Sequence, residues 1–148
     1  MKIGIASDHR GYERKEELKK LLDEYEVIDY GCFSSDMVDY PKYAFDLSNA
    51  VVKKEVDLGI IMCGTGIGVS IACNKVKRIR CAKIDSKEQA RSAKEHNNAN
   101  ILAFSAESNT ALDIKQMVEE FLNTKFSDNE RYQNRINQVE LYEDRNEY

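Results

Sequence analysis

The sequence predicts an α/β fold, a mostly parallel sheet with helices on both faces. Three observations carry that expectation. Short apolar runs alternate along the chain with longer stretches whose apolar residues recur every three to four positions. The most apolar run, DLGIIMC (57–63), is uncharged after its first residue and passes through a glycine turn straight into a helical pattern, as a central parallel strand does. The length, 148 residues, suits one domain, 1–148, and lets about 68–70% of the unfolded surface be buried.

The elements follow in order. KIGIAS (2–7) reads as a buried strand, and ERKEELKKLLDEY (13–25) as a helix with Leu18, Leu21, Leu22 and Tyr25 on one face. EVIDYG (26–31) is a second strand ending at a glycine. Pro41, the only proline, opens the helix PKYAFDLSNAVVKKE, where its missing N–H removes no hydrogen bond. After the strand at 57–63, GIGVSIACNKV turns into a helix and IRCAKI (79–84) forms a fourth strand. SKEQARSAKEHN starts with Ser86 and Gln89 at capping-box spacing. NILAF (100–104) is the fifth strand and TALDIKQMVEEFL the next helix. The last segment, 127–148, opens with Ser127 and Glu130 at the same spacing and carries a thin apolar stripe of Tyr132, Ile136 and Val139. A doubly wound sheet does not need this extra C-terminal helix, so it is expected to pack on another surface, such as a second subunit; the other reading is a frayed, charged tail.

Composition narrows the function. A net charge of −4, from 22 basic and 26 acidic residues, argues against nucleic acid as the main partner. An anionic small ligand remains allowed if a local cationic site receives it. No apolar run approaches the ~18 residues of a membrane span, and the N-terminus reads as a strand rather than a leader, so a cytoplasmic location is expected. Cys32, Cys63, Cys73 and Cys81 form no C-x-x-C pair and no zinc spacing, which predicts free thiols.

In open parallel sheets, ligands bind beyond the carboxyl ends of the strands. The first strand ends in Ser7-Asp8-His9-Arg10 and the third in Cys63-Gly64-Thr65-Gly66-Ile67-Gly68. His96-Asn97 closes the fourth helix, and both histidines of the chain are read as lying near strand ends. Gly64, Gly66 and Gly68 allow a close backbone approach, and the amides of the following helix favour an anion. That setting also favours a thiolate at Cys63, which suits a general base; the competing reading is a small buried side chain in a tight strand–helix turn. Asp8 can orient His9 or hold hydroxyls. Arg131 and Arg135, four apart, share a helical face and could clamp a phosphate or else pair with Glu130 or Glu140. A dinucleotide fingerprint is matched only in part, because its last glycine position is Val69, although Asp85 mimics the ribose-binding acid. A receiver domain would need an aspartate where Cys63 stands.

The stretches IASDHRGYERK, DYGCFSSDMVDYP, IIMCGTGIGVSIACNK, EHNNANILAF and FSDNERYQNRI resemble, nearly end to end, the ribose-5-phosphate isomerase B family, which includes galactose-6-phosphate isomerase subunits. The resemblance implies an aldose–ketose isomerase acting through an enediol without metal or cofactor, on ribose 5-phosphate or, alternatively, a six-carbon sugar phosphate. It implies Cys63 as the base, Thr65 as a relay between sugar oxygens, and His96, with Asn97 beside it, as the residue that opens the furanose ring. The amides of Gly64 through Gly68 would stabilise the enediolate. Asp8, His9 and Tyr40 would hold hydroxyls or phosphate, and Arg131 and Arg135 the phosphate. It further implies a Rossmann-like three-layer α/β/α sandwich with strand order 2-1-3-5-4, and a homodimer, often paired into a tetramer, with sites between subunits. One position departs: after NILAF relatives often carry an arginine near the phosphate, and here the matching residue is Glu107. An acid there repels a phosphate unless it points away.

Overall fold

Side chains on successive strand residues point to opposite faces, and this alternation decides the layers. Ile3, Ile5, Ile60, Met62, Leu102 and Phe104 point to one side and pack with Leu18, Leu22, Ala90, Ala93, Ile114, Val118 and Phe121. Ala6, Ile61, Cys63, Ile101 and Ala103 point to the other side and pack with Ala44, Leu47, Ala50, Val51, Val69, Ala72 and Cys73. A strand covered on both faces must be apolar at every position, which is what the run at 57–63 reports.

The computed structural model describes residues 1–146. Its elements are β1 (Lys2–Ser7), α1 (Tyr12–Leu21), β2 (Glu26–Asp29), α2 (Tyr40–Val52), β3 (Leu58–Cys63), α3 (Ile67–Cys73), β4 (Cys81–Lys83), α4 (Lys87–Glu95), β5 (Ile101–Ser105), α5 (Ala111–Leu122) and α6 (Glu130–Arg145). All strand pairings are parallel and the order is β2-β1-β3-β5-β4, as the resemblance implied. Helices α1, α4 and α5 cover one face, and α2 and α3 the other. Gly4 lets α2 come close, since a β-carbon there would lie 2.7 Å from Leu47 Cδ1.

Boundaries shift where local polar groups compete. β2 stops at Asp29 because its carboxylate accepts the Gly31 N–H at 2.8 Å, and Gly31 turns with φ +96°. β4 spans three residues, and its free edge is closed by Asn74, which accepts from Cys81 N–H at 2.8 Å and donates to Cys81 O at 2.9 Å. Half of the expected box at α4 forms: Ser86 Oγ accepts the Gln89 N–H at 3.1 Å, but the Gln89 side chain accepts from Asp85 N–H instead. The box expected at Ser127 does not form. The Ser127 N–H is drawn to Glu95 O at 3.0 Å and its Oγ accepts the Asn129 N–H at 3.2 Å, so the helix starts later under Asn129, whose side chain accepts from Arg131 N–H at 3.1 Å. A complete box sits at Thr110 and Asp113.

The expected segment 127–148 is helical from Glu130 to Arg145; residues 147 and 148 lie outside the described residues. Ile136 is the buried residue of α6, and Val139 is 54% exposed. Ion pairs fasten the helix to its own chain: Arg78 to Glu143 at 2.8 Å and to Asp144 at 2.5 Å, and Arg80 to Glu140 at 3.4 Å. A cavity of about 640 Å³ remains beneath it, lined in part by Ile79, Cys81, His96, Asn97, Tyr132 and Arg135.

Candidate active site

Because β1, β3 and β5 are parallel and in register, their carboxyl ends deliver Asp8, Gly64 and Ala106 to one edge of the sheet. Cys63 ends β3 and is 6% exposed. Its side chain leaves the sheet on the α2–α3 side, but the sulfur does not point into the apolar layer alone: Sγ accepts the Gly66 N–H at 3.2 Å. Gly66 makes this contact with φ +77°, and a β-carbon on it would lie 2.8 Å from the Phe104 carbonyl carbon. Only glycine fits there. Thr65 Oγ1, exposed, accepts the Ile67 N–H at 3.2 Å. Two amides of the loop are therefore engaged inside it, by the sulfur and by Thr65. The first-turn amides of α3, such as that of Gly68, have no intrahelical acceptor, as at any helix start.

The loop has a roof and a brace. The Tyr40 ring lies over Gly68, where a β-carbon would approach Tyr40 Cζ to 2.7 Å. Ser105 Oγ donates to Gly64 O at 2.7 Å, and Glu107 N–H donates to the same carbonyl at 3.2 Å. Ser105 is buried and went unnoticed in the sequence, where a serine ending a strand carries no signal. Asp8, also buried, accepts from Arg10 N–H at 2.9 Å and Gly11 N–H at 3.1 Å through one oxygen, so it first of all closes the turn into α1. His9 Nδ1 lies 3.1 Å from Val38 O and 3.3 Å from Val38 N, which fixes the ring against the segment leading to Tyr40. Glu107 does not point away from the loop. It forms an ion pair with Arg10, and the pair rests on Gly64.

His96 and Asn97 are not at this edge, contrary to the expectation from sequence. α4 runs antiparallel to the strands, so its C-terminal end, which His96 caps, returns to the amino end of β5. Arg80, just before β4, confirms the level by donating to Asn97 O at 3.0 Å and Asn98 O at 3.2 Å. One strand length, about 17 Å, separates His96 from Cys63. At this far edge His96 stacks on Tyr132, with ring centroids 4.6 Å apart and planes 16° apart. Arg131 Cζ lies 4.8 Å and Arg135 Cζ 5.8 Å from the centroid of the same ring, and Arg131 donates to Tyr132 Oη at 2.9 Å. Glu140 goes to Arg78 and Arg80, so among the described residues Arg131 and Arg135 have no carboxylate partner. Two unneutralised guanidinium groups beside an imidazole could hold an anion. Tyr132 organises this cluster, although the sequence reading took it for part of an apolar stripe.

The rival readings fare differently. Val69, standing where a dinucleotide fingerprint has glycine, is fully buried, and Asp85 is held by Lys83 at 2.6 Å rather than free for a ribose. The described residues contain no helix long and apolar enough to cross a membrane.

A sequence model of the ribose/galactose isomerase family matches residues 3–139. Ribose-5-phosphate isomerase B of Escherichia coli is 38% identical over 146 residues, which are 97% of each chain. Among solved structures, ribose-5-phosphate isomerase B of Clostridium thermocellum superposes with a TM-score of 0.94 at 40% identity, covering 99% of this chain and 100% of the other. That of Mycoplasma genitalium, solved with ribulose-5-phosphate bound, gives a TM-score of 0.90 at 37% identity, covering 97% of each chain.

Proposed function

The chain belongs to the ribose/galactose isomerase family, and from that membership we propose that it interconverts ribose 5-phosphate and ribulose 5-phosphate through an enediol. The observation that carries the chemistry is the Cys63 sulfur held by the Gly66 amide at the end of β3. His96 opens the furanose: it protonates the ring oxygen as the bond to carbon 1 breaks, and the anomeric hydroxyl gives up its proton to water as the aldehyde forms. The Cys63 thiolate then removes the proton from carbon 2, and the electron pair moves into an enediolate. Loop amides stabilise the developing oxyanion; one such donor typically contributes about 2.7–4 kcal/mol to the barrier. Thr65 passes a proton between the oxygens on carbons 1 and 2, and the Cys63 thiol returns its proton to carbon 1. Asp8, His9 and Tyr40 hold the sugar, and Arg131 and Arg135 take its phosphate. The ribulose-5-phosphate in the Mycoplasma genitalium relative supports the five-carbon substrate over a six-carbon one.

Cys63 and His96 cannot meet within one chain, so the proposal includes a second copy. In a twofold dimer any contact made by one protomer is made again by its partner. The far-edge cluster of one chain then completes the loop of the other, twice. The deciding experiment is NMR of aldose phosphates in deuterated water. Deuterium at carbon 2 of ribose 5-phosphate, together with ketose formation, is expected. Turnover of six-carbon phosphates alone would move the substrate, and neither exchange nor ketose formation with any of them would reject the isomerase.

A further inference from the structure

Arg10 and Glu107 lie far apart in the sequence and meet on top of Gly64. A β-carbon at position 64 would lie 2.7 Å from Arg10 Cζ and 2.9 Å from Glu107 Oε1, so the pair rests directly on the residue that follows Cys63. Both backbones are tied down. Arg10 N–H donates to Asp8 at 2.9 Å, and Glu107 N–H donates to Gly64 O at 3.2 Å. Both side chains are about half exposed, at 55% and 50%. Arg10 is thus tied down through its backbone, while its half-exposed guanidinium has Glu107 as its carboxylate partner.

We infer that Arg10 is a substrate-binding residue whose guanidinium contacts the phosphate of the bound sugar phosphate, with Glu107 holding it over Gly64 until that phosphate arrives. This rests on the isomerase reading. A carboxylate at the rim of an anion site is unfavourable when it stands alone, and its pairing with Arg10 removes the repulsion. The substrate presents two negative charges of different kinds. The enediolate exists briefly at carbons held deep beside Cys63, where rigid amides serve it without reorganising. The phosphate is permanently charged, and a half-exposed arginine with one exchangeable partner is suited to it. Arg10 therefore adds a cation from the same chain as the loop, complementary to Arg131 and Arg135 of the other copy.

The test uses the full chain with Arg10→Gln, Arg10→Lys and Glu107→Gln. Ribitol 5-phosphate, which has no carbonyl to isomerise, is titrated by calorimetry, and ribose 5-phosphate turnover is followed alongside. Arg10→Gln is expected to weaken ribitol 5-phosphate binding and raise KM about tenfold or more, the effect of one charge-assisted hydrogen bond, with kcat little changed. Arg10→Lys recovers part of the loss, and Glu107→Gln tightens binding by freeing the guanidinium. Unchanged binding in Arg10→Gln, or a loss in kcat with KM constant, overturns the inference. So does Glu107→Gln weakening binding as much as Arg10→Gln, the result expected of a mere structural brace. Arg10-dependent binding of ribitol 5-phosphate by a protein that does not isomerise would reject the isomerase reading and keep Arg10. Isomerisation indifferent to Arg10 would do the reverse.

Discussion

Removing the Cys63 sulfur tests the proposed chemistry most directly, and two substitutions separate catalysis from structure. Cys63→Ala deletes the base and also leaves the Gly66 N–H, now bonded to Sγ at 3.2 Å, without its acceptor in a site only 6% exposed. The lost contact and small void cost about 1–3 kcal/mol of stability. Cys63→Ser keeps an acceptor for that amide and nearly the same shape, so the loop stays in place. Its hydroxyl, however, gives almost no anion at neutral pH. A placed base typically contributes about 10²–10⁴-fold, or roughly 3–5 kcal/mol of barrier. Both variants should therefore lose at least about 100-fold in kcat, while KM stays within about twofold because the base acts in the transition state. Ketose formation is read by ultraviolet absorbance and carbon-2 exchange by NMR, with stability from denaturant melts. Retention of more than about a tenth of wild-type kcat by either variant would place the base elsewhere, since a placed base typically contributes about 10²-fold or more. A fall that tracks only the loss of stability in Cys63→Ala, and is absent in Cys63→Ser, would reduce Cys63 to a packing residue.

Co-refolding equal amounts of Cys63→Ser and His96→Asn chains should restore about a quarter of wild-type activity, because half the dimers are mixed and each holds one intact site; no recovery would reject a site shared between copies. Gly66→Ala should cost about 1–2 kcal/mol of stability or more, from its positive φ and the clash with Phe104, and should lower kcat by displacing the donor to Cys63; wild-type kcat at full stability would refute the fit. Burial alone would raise the Asp29 carboxyl, but hydrogen bonds from Lys15 at 2.5 Å, Lys19 at 2.8 Å and the Gly31 N–H outweigh it and hold its pKa below the usual carboxylate value. Its contribution is thus present above the unfolded pKa of about 3.9 and lost as pH falls through the lower folded value. Asp29→Asn, which leaves the fully buried Lys15 poorly paired, should cost about 3–5 kcal/mol at neutral pH and flatten that acid limb in urea melts.

What the sequence revealed followed the range of the forces involved. The strand, loop and helix around Cys63 are contiguous, and their glycines answer to local backbone demands, so the near edge was legible. Tyr40 came only through resemblance, because the contact of its ring with Gly68 spans two elements. His96 was placed at the wrong edge because its neighbour in sequence is a strand, and only the antiparallel run of α4 shows that it meets the start of that strand. The cap of α6 lies at Asn129 and not Ser127, because the Ser127 Oγ accepts the Asn129 N–H at 3.2 Å while a long-range hydrogen bond to Glu95 O takes its N–H. The Arg10–Glu107 pair was invisible for the same reason: each residue alone reads as an exposed charge, and their meeting depends on the whole sheet.

The split between the two edges also bears on how the site closes. Motion within one chain would have to carry His96 across about one strand length. That would break the bonds of Arg80 to Asn97 O and Asn98 O, the Asn100 side-chain bond to Arg78 O at 2.8 Å, and the stack on Tyr132. Docking a second copy breaks none of them. It also has an apolar surface to use, since Ile67 and Ile71 of α3 and Phe45 of α2 are 52%, 56% and 39% exposed. Such a patch drives association, whereas a hinge through the centre of a packed sheet has no comparable source of free energy. The proposed shared site is thus the arrangement that keeps each half as rigid as its hydrogen bonds make it.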